Sequence, residues 1–337
     1  MKNFTYFQPA SVKDAVGLLG DKWGPVELLA GGTDLLDLQK EYVAQPDKVV
    51  SLTGIKDMSG ISMSGKPGAA GLTIGAATKL SAIAENAEVR KLFPALATAA
   101  SMVGGPQIQN MGTLGGNLCQ RNRCWYFRDE HVHCLLKGGD KCYALDGENQ
   151  YHAIFTQGHK CVIVNPSTLA PALIALGASA EVVGPDGKKR TIDLAKFFHA
   201  PSSATEREHL LAPNEIVVSV TVPVTLNGKN ASYEVRHKQS YDWPLAQAAV
   251  SFKLIDGKVS EPHIVLGHVA PTPIIATEAA KGLEGKEVTD DVATAVGKEA
   301  VKDAKPLSQN GYKVKLAQVA VKRAILIAAG KPKYWEL

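Results

Sequence analysis

Five cysteines, Cys119, Cys124, Cys134, Cys142 and Cys161, crowd into one stretch of a 337-residue chain, and two glycine segments, LLAGGTDLL at 28–36 and GTLGGNL at 112–118, precede them. Clustered thiols in a chain that opens without a secretory pattern are more often metal ligands or redox groups than structural disulfides. Their spacings are too wide for the CxxC knuckles of structural zinc sites and differ from the tight CxxCxxC runs of bacterial ferredoxins. Four thiolates suffice for an iron–sulfur cluster, and wide spacing suits a loop wrapped around one; on composition, zinc and iron–sulfur stand level. His131 and His133 lie among the thiols as polar positions that such a loop exposes.

The glycine segments suit a different task. A dinucleotide needs its pyrophosphate held by backbone N–H groups, and glycine permits that approach because it lacks a Cβ and accepts positive φ. The spacing matches neither GxGxxG nor GxxxxGKS, so the two common nucleotide folds are not indicated. The run VGGPQIQNMGTLGGNL at 103–118 is too rich in glycine for a regular element and predicts a loop that brings backbone close to a ligand.

The elements that must position these residues follow from periodicity. Ser11 opens a helix reaching about Gly20; Val26–Ala30 is a strand running into the turn Gly31-Gly32-Thr33-Asp34 and a helix start. Strands are expected at 48–52 and 72–76, a helix over 81–102, a short helix over 169–176, and a hairpin of 180–183 and 190–194 around Pro185-Asp186-Gly187. Strands at 216–222, 248–254 and 263–269 precede helices at 291–301 and 311–329, the last carrying Lys313, Lys315, Lys322 and Arg323 on what reads as a solvated face. Length suggests two units, 1–177 and 178–337, divided near Ala178.

Composition narrows the partners. With 45% hydrophobic and 21% charged residues, a net charge of +4 and scattered basic residues, there is no footprint for nucleic acid. No apolar run has membrane-spanning length, and MKNFTYFQPASVKDA has no apolar signal core, which predicts a cytoplasmic location.

The paired loops and their separation are distinctive. Over nearly its whole length the chain resembles the FAD subunits of the xanthine dehydrogenase, carbon monoxide dehydrogenase and aldehyde oxidoreductase group. The resemblance implies an α+β fold: a two-part FAD-binding domain of the vanillyl-alcohol oxidase and p-cresol methylhydroxylase type, then a smaller α/β domain of the CO dehydrogenase flavoprotein type. It implies that Leu29, Ala30, Gly31, Gly32, Thr33, Asp34 and Leu35 wrap the FAD pyrophosphate. Thr113, Leu114, Gly115, Gly116 and Asn117 would contact the cofactor from the second loop, with Gly104 and Gly105 on the approach. Ser167-Thr168-Leu169 departs from the family's Ser-Asp-Leu, leaving Thr168 a weaker version of that contact. In YEVRHKQSYDW, Arg236 or Lys238 fills the place of a basic residue near the flavin, where positive charge would stabilise the anionic reduced ring.

The run NLCQRNRCWYFRD resembles a subset, typified by 4-hydroxybenzoyl-CoA reductase and periplasmic aldehyde oxidoreductases, that inserts a four-iron four-sulfur cluster at about 119–162. The resemblance implies Cys124, Cys134, Cys142 and Cys161 as ligands and Cys119 as a spare thiol. Asp146-Gly147 and His152 tilt it toward the aldehyde branch. The implied role is electron transfer, with no catalytic acid, base or nucleophile in this chain. Substrate is oxidised at the molybdenum cofactor of a large subunit, electrons cross 2Fe-2S centres of a small subunit, and FAD here passes them to an external acceptor. A partner with a twin-arginine signal would place the complex in the periplasm. The competing readings are a reductase subunit running electrons inward from ferredoxin, a self-contained flavin enzyme resembling the UDP-N-acetylenolpyruvoylglucosamine reductases, and a zinc-stabilised module without redox function.

Overall fold

The computed structural model describes residues 1–64, 70–225, 228–238 and 241–336; Gln239 and Ser240 of the YEVRHKQSYDW segment lie outside them. Strands β1 (Thr5–Phe7), β2 (Val26–Leu29) and β3 (Lys48–Ser51) form a parallel sheet in the order β1-β3-β2. Helices α1 (Val12–Gly17) and α2 (Leu35–Lys40) follow β1 and β2 in the chain, and α1 buries Ala15 and Val16 in the main core. Ser11 fixes the start of α1 by accepting from Asp14 N at 3.1 Å, satisfying a donor that the first turn leaves free. Between β2 and α2 the chain turns at Gly32, whose φ of +76° is left-handed and suits a residue without a Cβ.

A second, antiparallel sheet contains β4 (Ile61–Ser64), β5 (Gly71–Gly75), β6 (Ser179–Val183), β7 (Lys189–Asp193) and β8 (Ile216–Pro223) in the order β4-β5-β8-β6-β7. The division expected near Ala178 falls inside this unit, because β5 hydrogen-bonds to β8 from Gly71↔Pro223 to Gly75↔Ser219. Local pattern cannot reveal such pairing between distant segments. The β6–β7 hairpin turns where expected, with Asp186 and Gly187 both at positive φ, 58° and 73°, as a tight right-twisted hairpin requires.

The helix expected over 81–102 is three: α3 (Leu80–Glu85), α4 (Ala87–Leu92) and α5 (Pro94–Met102). Asn86 caps α4 by accepting from Val89 N at 3.0 Å, and Pro94 starts α5 after Phe93 leaves the helical region. The expected glycine loop holds two short helices, α6 (Pro106–Met111) and α7 (Leu114–Cys119). Pro106 opens the first, and Thr113 caps the second through Gly116 N at 3.1 Å. Beyond α8 (Trp125–Arg128), every residue of α9 (Leu169–Ala175) is buried, as expected for a helix apolar all round.

The C-terminal sheet joins β9 (Gly228–Val235), β10 (Ala246–Ile255), β11 (Lys258–Gly267) and β12 (Ile274–Ile275) in the order β12-β11-β10-β9, all antiparallel. Helices α10 (Thr277–Leu283), α11 (Asp290–Glu299) and α12 (Tyr312–Ala328) share its core. Asn230 of β9 ties this sheet to the helical layer, accepting from Ala95 N at 2.9 Å and donating to Leu92 O at 3.0 Å. The solvated face expected on α12 fails at Lys313, which is 1% exposed and donates to the carbonyls of Tyr151, His152 and His268 at 3.0, 3.0 and 2.9 Å. Arg323 lies 5.2 Å from the Tyr233 ring and 4.9 Å from Trp335, so only part of that stripe meets water. Among the described residues no helix is long and apolar enough to cross a membrane.

Candidate functional site

Both glycine segments line one cavity of about 760 Å³, which places Ala30, Gly31, Gly32, Thr33, Asp34 and Leu35 opposite Gly104, Gly105, Thr113, Gly115, Gly116 and Asn117. Close backbone approach explains the glycines. A Cβ on Gly31 would sit 2.0 Å from Met111 O, and one on Gly115 would meet Ala76 Cβ at 3.0 Å. Gly104, at φ +53°, turns the chain into α6. A cradle of exposed amides and small residues of this size fits a dinucleotide.

Several expected contacts sit elsewhere. Leu29 does not line the cavity, and Leu114 is fully buried in the main core, so neither side chain reaches a ligand there. Asp34 lines the cavity, but its carboxylate is occupied within the protein: Oδ2 accepts from Arg121 N at 2.8 Å, and Oδ1 meets Arg128 at 2.5 Å and Arg123 at 3.1 Å. It binds the first glycine loop to the cysteine-rich segment. Arg236 and Lys238 are also off the wall. Arg236 donates to Met102 O at 3.4 Å behind the lining residue Met102, and exposed Lys238 donates its backbone N–H to Asp242 at 3.2 Å. Thr168 does line the cavity, and its carbonyl is held by Gln247 Nε2 at 2.8 Å.

Sequence reasoning missed the cationic rim. Arg121, Arg123 and Arg207 line the cavity, backed by Glu208, Asp34 and Glu27 at 2.8, 3.1 and 3.7 Å respectively. Arg123 stacks over Trp243 at 4.6 Å and Arg207 over Trp23 at 4.9 Å, which fixes both guanidinium planes. Burial lowers both arginines to about 10, so they stay cationic near neutral pH and suit a phosphate. Burial alone would raise the Glu208 carboxyl, but Arg121 and the donors of Asn122 hold it below the ordinary range. Only the local NRC context of Arg121 and Arg123 hinted at this rim; Trp23 and Arg207 arrive from segments without a motif.

Four thiols gather beside the cavity. Cys134 and Cys161 are buried, Cys124 and Cys142 half-buried, and all four pack into one apolar cluster with Leu38, Phe127, Leu136 and Ile163. Backbone amides face each sulfur: Phe127 and Tyr126 toward Cys124, Leu136 and Lys137 toward Cys134, Val162, Ala144 and Leu145 toward Cys142, and Ile163 toward Cys161. Such donors stabilise thiolates and tune iron–sulfur ligands. The Cys161 hydrogen bond and these amides pull the Cys142 thiol down to about 6, while the same hydrogen bond and burial push Cys161 up. Among the described residues no three His, Cys, Asp or Glu converge tightly enough for a single metal ion. Four thiols packed in one apolar group, with backbone amides beside them, are a donor set of the kind an iron–sulfur cluster uses.

Cys119 is separate: it packs against the main core, lines the cavity, and is pushed up to about 12 by burial with no amide to offset it. The His131 side chain is 86% exposed. The segment's carriage does not depend on the sulfurs. Asn149 donates to Ala144 O and Ser308 Oγ at 3.1 and 3.0 Å, and Asn310 donates to His152 O and Ala153 O at 3.1 and 2.9 Å.

Behind Thr168, the Glu234 side chain is 2% exposed, with Arg236 Nε 3.9 Å away and the Thr168 side chain beside it as its neighbours of opposite or hydrogen-bonding character. Burial raises this carboxyl to about 8. A folded pKa above the unfolded one means stability is present at acid pH and is lost as pH rises from about 4.5 toward about 8. Glu234→Gln is therefore expected to gain on wild type by ~3 kcal/mol between about pH 5 and pH 8. Thermal unfolding at both pH values checks this; an equal gap at the two would refute it.

The comparisons with known proteins fit this geometry. Residues 2–225 match the family model of the FAD binding domain in molybdopterin dehydrogenase, and residues 231–328 match that of the CO dehydrogenase flavoprotein C-terminal domain. The chain is 33% identical to the aldehyde oxidoreductase FAD-binding subunit PaoB of Escherichia coli strain K12, covering 94% of this chain and 96% of that protein. It is 29% identical to the carbon monoxide dehydrogenase medium chain of Hydrogenophaga pseudoflava, covering 96% of each. A solved carbon monoxide dehydrogenase from that organism, lacking the Mo-pyranopterin moiety of its molybdenum cofactor, superposes with a TM-score of 0.75 at 28% identity, covering 97% of each chain.

Proposed function

The chain belongs to the family of FAD-binding subunits of the molybdenum hydroxylases, and from that premise we propose that it serves a complex oxidising aldehydes and holds a four-iron four-sulfur cluster on Cys124, Cys134, Cys142 and Cys161. The observation that carries the second half is a shared wall. Leu38 and Phe127 line the dinucleotide cavity and also pack in the apolar cluster with the four thiols. FAD, when bound, supplies one-electron exchange with iron–sulfur centres and two-electron exchange with an external acceptor, and a thiolate-held cluster adds a one-electron centre.

The protein's own residues hold and orient. Gly31, Gly115 and Gly116 bring backbone to the cavity surface, and Arg121, Arg123 and Arg207 oppose the charge of a pyrophosphate. Asp34 acts at one remove, fixing Arg123 and Arg128 and through them the start of the cysteine segment. Thr168 offers a hydroxyl where the family's aspartate would stand, and Cys119 stays protonated at the cavity wall.

The likeness to PaoB supports aldehydes as the substrate class, a large molybdenum-cofactor subunit and a small 2Fe-2S subunit as partners. An inward-running reductase, a self-contained flavin reductase and a zinc-stabilised module are not favoured by relatives that align along nearly the whole chain. The test is anaerobic: benzaldehyde added to the assembled complex should bleach the flavin absorbance of this subunit, whereas the chain alone should stay yellow. Bleaching by a ferredoxin reductant but by no aldehyde would reverse the assigned direction of electron flow.

A further inference from the structure

His152 Nε2 lies 3.2 Å from Cys124 Sγ, in a segment that carries no element of its own. The residue is 4% exposed, and its ring is fixed edge-on to Trp125 at 5.4 Å and tilted to Tyr126 at 6.3 Å. Its backbone is anchored separately. His152 N donates to Asn149 O at 3.0 Å, and its carbonyl accepts from Lys313 Nζ at 3.0 Å and Asn310 Nδ2 at 3.1 Å. Helix α12 thus holds the imidazole against one sulfur.

The chemistry of the two partners sets the direction of this contact. A cysteine that ligates a metal is a thiolate and can only accept, so the ring nitrogen facing it must carry the hydrogen. The other nitrogen, Nδ1, is buried with no partner. A buried lone pair without a donor is tolerated more often than a buried N–H without an acceptor, which favours the same tautomer.

We infer that His152 donates an Nε2–H hydrogen bond to the Cys124 thiolate and thereby raises the reduction potential of the cluster; the inference rests on the proposal that these thiolates hold one. A donor to a ligand sulfur stabilises the more negative, reduced state. Among the described contacts, Cys124 is the sulfur of the four that a hydrogen-bonding side chain other than cysteine faces. His152 is a positioning and tuning residue and is not itself a ligand.

The experiment compares wild type, His152→Leu and His152→Gln in the assembled complex by EPR-monitored redox titration, with iron and acid-labile sulfide assayed on each. Leucine removes the donor, and glutamine keeps an N–H at similar reach. The expected result is equal iron and sulfide in all three, a reduced-to-oxidised ratio about tenfold lower for the leucine variant at fixed potential, equivalent to ~59 mV for one electron, and most of that shift recovered by glutamine. An unchanged midpoint in the leucine variant overturns the inference, as do equal shifts in both variants or loss of the cluster from both. Wild type without iron or sulfide would instead defeat the cluster proposal, a failure readable before any variant is made.

Discussion

Gly31→Ala should yield a folded protein that purifies with little flavin. The added Cβ would stand 2.0 Å from Met111 O and 2.6 Å from Met111 C, both backbone atoms at the end of α6. Neither atom can rotate away as a side chain does, so the first glycine loop and the α6–α7 corner must part by about 1 Å to relieve the overlap. Those segments are facing walls of the cavity. Parting the walls loses the close backbone approach that grips the cofactor, and a loss of ~1.4 kcal/mol of binding already weakens retention about tenfold, so flavin content after purification should fall sharply. Gly20→Ala is the matched control, since a Cβ there meets nothing within 4 Å. Fluorescence of the flavin released by acid, set against protein concentration, reads the result, with circular dichroism to verify the fold. Wild-type flavin content in Gly31→Ala would show that these walls do not grip the cofactor.

The contrast between those two glycines also shows what the sequence discloses. Glycine at 31, 32, 104, 115 and 116 was legible because backbone approach leaves a compositional trace, and all five residues line one cavity. The form of the second segment was not legible, because helices as short as α6 and α7 owe their existence to Pro106 and the Thr113 cap rather than to an apolar period. The grouping of the thiols likewise announced itself, whereas the burial of Lys313 and the contact of His152 with Cys124 did not. Lys313 sits on a helix whose neighbouring lysine is exposed, and only the docking of the cysteine segment against α12 buries it. Arg207 and Trp23 meet across the cavity from segments far apart in the chain, and no local spacing encodes that meeting. The division near Ala178 failed for the same reason, since β8 finds β5 across most of the first unit.

Cys134→Ser should abolish the cluster and spare the flavin. Cys134 is 6% exposed, lies in the apolar group with the other three thiols, and faces the amides of Leu136 and Lys137. A serine oxygen at that place keeps the shape but presents a hard, protonated donor to an iron centre that prefers thiolate. The fold should survive, because Asn149, Asn310 and Lys313 hold the segment through backbone groups and not through sulfur. The dinucleotide cavity should survive too, since Cys134 does not line it and Leu38 and Phe127 remain in place. The expected preparation is yellow, binds near-stoichiometric flavin, retains only traces of iron and sulfide, and lacks the EPR signal of a reduced four-iron cluster. Cys119→Ser, made beside it, should keep both cofactors, because that thiol stands apart from the four. Iron lost from Cys119→Ser but kept in Cys161→Ser would move the fourth ligand to Cys119, and zinc in place of iron in the wild-type protein would remove the cluster altogether.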